Sequence, residues 1–107
     1  MFTRVVEIRC KAGKTSEFAR VTSEQAMPIL RRQHGFQDEF VLVSSSDPHR
    51  VLAMSFWTKR EDAENYQREQ FPRIAELIGP YCEGEPVIST YEVHTSTAHH
   101  IDLGKAA

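Results

Sequence analysis

The sequence predicts an α+β domain of ferredoxin-like type: strand, helix, strand, strand, helix, strand, with an antiparallel sheet and the helices on one face. Three observations lead there. Four short segments carry strand-type apolar runs, two longer stretches carry apolar residues at spacings of three and four, and the two middle strands are apolar on both faces. In those strands Phe40 and Leu42 point opposite to Val41 and Val43, while Leu52, Met54 and Phe56 point opposite to Val51, Ala53 and Trp57. Helices on one side cover only one of these faces. A second copy of the chain is the expected cover for the other, giving a homodimer with any pocket lying between each sheet and its own helices.

The first strand is read at residues 2–10, where Val6, Ile8 and Cys10 share one parity and Val5 takes the other. A helix follows, with Phe18, Val21, Thr22, Gln25, Ala26, Ile29 and Leu30 on one stripe, and Gly35 stops it. Pro28 lies inside that pattern and crowds the carbonyl of Glu24, so a kink or a break is expected near Met27. Residues 36–44 and 50–57 form a hairpin across the Asp47-Pro48 turn. Thr58 and Glu61 read as a capping box that starts the second helix. Pro72 bends the chain at Phe71, after which Ile74, Leu77, Ile78 and Tyr81 form the apolar face of a shorter helix. Residues 87–94 supply the fourth strand. From Thr95 onward no core pattern appears, and we place the domain at residues 1–97 and a C-terminal tail at 98–107.

At 107 residues the chain is long enough for one self-sufficient core. Its 13 Lys and Arg nearly balance 15 Asp and Glu without a long run of one sign, which disfavours nucleic acid and acidic lipid as partners. The first residues enter a strand pattern directly, without the apolar core of a signal peptide, and no stretch is long and apolar enough to span a membrane. A cytoplasmic protein is expected. Cys10 and Cys82 form no CxxC motif and are read as reduced thiols, and no metal-ligand spacing occurs on a helix or hairpin.

The stretch Ser55-Phe56-Trp57-Thr58-Lys59-Arg60-Glu61-Asp62-Ala63-Glu64-Asn65-Tyr66 carries a family signature. With Gln33-His34-Gly35-Phe36 before it and Pro86-Val87 opening a strand that reads Tyr91-Glu92-Val93, it resembles the antibiotic biosynthesis monooxygenase domain family. The resemblance spans residues 1 to about 97. It implies a dimeric α/β barrel and a cofactor-independent monooxygenase acting on a small aromatic or quinol substrate. Aromatic-oxidising members pair the strand-end tryptophan with an asparagine four residues earlier, a position held here by Ala53. Haem-degrading members carry their iron-ligating histidine about ten residues after it, which falls at Gln67, so the resemblance implies no haem. The alternative function is a non-catalytic ligand-binding or interaction dimer of the same fold.

Oxygenation without a cofactor asks a protein for a dry cavity, donors to a phenolate and an aromatic wall. The pocket-lining candidates are Trp57, as wall and indole donor, Ser55 on its side of the strand, Tyr66 in the second helix, and His94 on the parity of Ile88, Thr90 and Glu92. Trp57 also reads as a plug between strand and helix. His34, His49, His99 and His100 lack an orienting carboxylate and read as surface residues. No catalytic residue is assigned from the sequence. No nucleophile elbow, phosphate loop or paired-carboxylate motif is present.

Overall fold

A computed structural model describes residues 1–98 and the backbone of residues 101–102. Strands β1 (Phe2–Arg9), β2 (Phe36–Val43), β3 (Arg50–Trp57) and β4 (Val87–Glu92) form one antiparallel sheet in the order β2-β3-β1-β4. The helical layer consists of α1 (Thr15–Val21), a π-helical turn at Thr22–Ala26, α2 (Met27–Arg31), α3 (Arg60–Glu69) and α4 (Phe71–Ile78). The expected ferredoxin-like α+β order is therefore the observed one.

Alternation along each strand sorts the side chains. Val6, Ile8, Val51 and Trp57 turn inward and are buried beneath Phe18, Leu30, Ile74 and Ile78 of the helices. The opposite face carries Val5, Leu52, Met54 and Phe56 together with Phe40, Leu42, Val87 and Tyr91. No helix among the described residues covers it, and Phe40 and Tyr91 remain 49% and 56% exposed. This is the two-sided apolarity anticipated from the sequence.

The kink expected at Pro28 takes the form of a π turn. The Met27 N–H bonds to the carbonyl of Thr22, five residues back, and Pro28 follows in the first turn of α2. A widened turn lets the chain absorb the missing proline N–H without breaking the helix. The second helix breaks at Gln70, one residue before the expected Phe71, because Pro72 needs no amide donor in the first turn of α4.

The capping box expected at residues 58–61 does not form. The cap of α3 is Lys59, in extended geometry and with no side-chain cap bond. Thr58 instead stays with the sheet, where its Oγ1 donates to the Gly35 carbonyl at 3.3 Å and accepts from Gln37 Nε2 at 2.6 Å. Thr58→Ala is accordingly expected to cost about 1 kcal/mol through these two hydrogen bonds rather than through a helix cap. Thermal melts of Thr58→Ala, Gln37→Ala and the double variant check this. Losses that simply add would show that the two side chains do not act together.

Beyond β4 the backbone pairs Thr95–Ser96 (β5) with Ile101–Asp102 (β6) in a small hairpin apart from the main sheet. A residue stretch without a core pattern thus still makes local pairing. His99 and His100 lie outside the described residues. Cys10 and Cys82, 72 positions apart in sequence, face each other in an isolated antiparallel bridge as free thiols.

Candidate functional site

The strand register places four polar residues in a row across the inner face of the sheet. Glu39 on β2 pairs with Ser55 on β3, Ser55 with Arg4 on β1, and Arg4 with Thr90 on β4. The neighbouring row is apolar, made by Val41, Ala53, Val6 and Ile88. A polar band in the middle of an oily face does nothing for packing and is costly unless its groups find partners.

Over this band lies a cavity of about 30 Å³, lined by Arg4, Glu39, Ser55 and Tyr66 and by apolar side chains of the helices. That is room for about one water molecule. Two buried side-chain oxygens have no hydrogen-bond partner among the described residues, Thr22 Oγ1 and Glu39 Oε2, and both residues line this cavity. On the other flank of Arg4, an open groove of about 210 Å³ runs between α3 and β4, lined by Phe2, Gln67, Ile88 and Thr90 among others. Arg4 lines both spaces.

Arg4 is buried, at 4% exposure, yet its charge is well provided for. It donates through Nε to Gln67 Oε1 at 2.8 Å and through Nη2 to the same oxygen, and its guanidinium carbon lies 4.3 Å from the ring centroid of Phe71 and 5.3 Å from that of Tyr66. Burial pulls its pKa below the ordinary value, with Tyr66 and Glu39 pushing back. Glu39 has no such support. Desolvation raises its carboxyl to about 7, Arg4 draws it back, and Asp38 pushes it further up. No ion pair joins it to Arg4 among the described residues, so the two share a field rather than a bond. Burial likewise raises the Tyr66 phenol above its ordinary value.

Of the residues singled out in the sequence, the fold brings Ser55, Trp57 and Tyr66 together. Ser55 and Tyr66 face the cavity. Trp57 is fully buried behind them, its ring 5.1 Å from that of Tyr66 and 5.6 Å from that of Phe36. Its indole N–H donates to Ser55 Oγ at 2.9 Å, so this donor is already engaged. His94 stands apart: β4 ends at Glu92, and the imidazole is exposed, with Nδ1 2.5 Å from Thr95 Oγ1. Arg4 and Glu39 were missed. The available signal was parity, since each is a charged residue at an inward position of an otherwise apolar strand.

Among the described residues no three His, Cys, Asp or Glu side chains form a group able to hold a metal ion. No helix in them is long and apolar enough to cross a membrane.

The fold and the cavity define a small ferredoxin-like α+β protein with a polar-banded pocket between sheet and helices. Residues 1–76 match the antibiotic biosynthesis monooxygenase family, and the chain belongs to that family. Solved structures agree in fold. SnoaB, a cofactor-independent oxygenase from Streptomyces nogalater, superposes with a TM-score of 0.75 at 16% identity, covering 90% of this chain and 95% of SnoaB. A candidate antibiotic biosynthesis monooxygenase from Bordetella bronchiseptica gives 0.75 at 18% identity, over 86% and 95% of the two chains. A conserved protein from Methanosarcina mazei gives 0.70 at 20%, over 86% and 92%. No curated protein matches the sequence. At these identities the structural likeness speaks to fold alone.

Proposed function

We propose that the protein is a cofactor-independent monooxygenase for a small aromatic or quinol substrate, working as a cytoplasmic homodimer whose outer sheet faces pack together. The reading rests on family membership and on one observation of this chain: a mostly apolar cavity between sheet and helices, crossed by the polar band of Glu39, Ser55 and Arg4. A phenolate or enolate ring is electron-rich enough to give an electron to O2. Recombination at a ring carbon forms a peroxide, and loss of water from it leaves a carbonyl. One oxygen atom enters the product, the other leaves as water, and all four electrons that reduce O2 come from the substrate, two in forming the peroxide and two in its loss of water. The protein's share is to exclude water, hold the ring against Tyr66 and stabilise the anion with Arg4. A ring-sized guest requires the helical layer to move outward. The π turn at Thr22–Ala26 lies at the cavity wall, and such turns recur at functional sites.

One observation favours the second reading, a non-catalytic binding or interaction dimer: the cavity holds only about 30 Å³. Oxygen uptake separates the two. With a panel of quinols and anthrone-like phenols, and with no added metal or flavin, the oxygenase reading predicts consumption of one O2 per carbonyl formed and a large loss of rate in Ser55→Val. No uptake above the protein-free rate across the panel would leave the binding module.

A further inference from the structure

We propose that Glu39 is the proton acceptor of this cavity and Arg4 the holder of the oxyanion that results, so that the guest taken is a hydroxylated ring whose O–H points at Glu39. This deepens the oxygenase reading and rests on it for the identity of the site. Three observations that do not depend on one another support it. The register sets Glu39 and Arg4 in one row, two strands apart, which is about 10 Å between backbones, and both side chains line the same cavity. Glu39 Oε2 is buried and unpartnered among the described residues, as is Thr22 Oγ1 across the same space, so the cavity presents hydrogen-bonding groups that the protein itself does not satisfy. Arg4 is fixed from behind by Gln67 and the rings of Phe71 and Tyr66, so its position does not depend on Glu39.

The chemistry then balances within the site. The substrate Ar–O–H breaks its O–H bond, the proton passes to the Glu39 carboxylate, and the electron pair stays on the ring oxygen facing Arg4. No oxidant is needed for this step. A carboxylate with a pKa of about 7 is ionised before the guest arrives, and it takes the proton because the guanidinium of Arg4, facing the ring oxygen, makes the bound phenol more acidic than it is in water. The charged and titratable groups around Glu39 are Arg4 on β1, Tyr66 on α3 and its strand neighbour Asp38; α1, α2, α4 and the π turn present only uncharged side chains to the cavity. Arg4 and Glu39 also explain how the chain manages with Ala53 where an amide side chain is otherwise expected. The polar function sits one register step away, at Ser55 and its two neighbours.

The test uses 2-naphthol, a phenol about as weakly acidic as tyrosine and thus almost wholly protonated at pH 8 in water. Binding to the wild-type protein at pH 8 is expected to produce the naphtholate absorption band with no net proton release to the buffer, because the proton stays on Glu39. In Glu39→Gln the naphtholate fraction is expected to fall at least tenfold, or to form only with one proton released per site. Arg4→Gln is expected to abolish the band, and circular dichroism shows whether that variant is folded; if it is not, the Glu39 arm decides alone. An unchanged band without proton release in Glu39→Gln, or no naphthol binding to the wild type at millimolar probe, would overturn the proposal. The two readings fail separately. Naphtholate formation without oxygen uptake on any quinol refutes the oxygenase alone, whereas undiminished uptake in Glu39→Gln refutes the proton acceptor alone.

Discussion

Gly35→Ala is expected to destabilise the fold by about 3 kcal/mol or more. Two causes add. Gly35 sits at φ +79°, where an L side chain is strained. A Cβ built there would lie 2.1 Å from Asp62 Oδ2, 2.4 Å from Cγ and 2.7 Å from Cβ, so the first turn of α3 would have to retreat. Asp62 is itself buried, and Thr58 holds the same corner through two bonds to the Gly35 carbonyl. The corner matters for the site because α3 carries Tyr66 and Gln67, which position Arg4. Urea denaturation checks the loss. Gly35→Ala combined with Asp62→Ala is expected to lose less than the two single changes summed, since two of the three collisions disappear while the backbone strain remains. A Gly35→Ala melt equal to wild type would mean that α3 docks elsewhere.

Glu39→Gln is expected to be more stable than wild type at pH 8, by about 3 kcal/mol, and nearly equal to it at pH 4.5. The sign follows from the raised carboxyl pKa of about 7 against an ordinary 4.5. The folded protein holds this proton more tightly than the unfolded chain, so the stabilisation from protonation is complete below about 4.5 and is lost as pH rises through about 7. Above that, a charged and poorly solvated carboxylate remains, which the amide replaces at no electrostatic cost. Arg4 attracts the charged form, but desolvation outweighs it. Stability curves at three pH values measure the difference. A Gln variant less stable than wild type at pH 8 would show instead that Glu39 and Arg4 make a supporting ion pair. A residue whose removal stabilises the fold at working pH is a residue kept for something other than stability.

Much of the architecture was legible because strand parity is a local property. Phe40 and Leu42 against Val41 and Val43 announced a sheet with two apolar faces, and the structure sets them there. The Pro28 distortion was legible in place but not in kind, since a proline dictates a lost amide and leaves open whether the helix breaks or widens. Thr58 misled for a related reason. Its spacing to Glu61 fits a capping box, but a hydroxyl at the end of β3 also reaches the strand beside it, and only the tertiary fold shows Gly35 and Gln37 waiting there.

The site was legible in part. Ser55 and Trp57 share a parity, and their meeting is a two-residue matter. Arg4 and Glu39 lie 35 positions apart, and their shared row depends on the register of three strands, including the irregularity between Phe36 and Asp38 that shifts β2 relative to β3. Inward parity marks each as unusual, but no local pattern says that they meet. His94 shows the converse error. Continuing the alternation past Glu92 carries it inward on paper, while the strand has already ended.

In the proposed dimer the sheet has two uses, an outer face for a second copy of the chain and an inner face for a guest. Sedimentation velocity at micromolar concentration tests that division most directly, on the wild type and on Met54→Glu, which places a charge in the middle of the outer face. The account predicts a wild type that sediments as a dimer and a variant that dissociates or unfolds. A wild-type protein that sediments as a folded, stable single chain would contradict it.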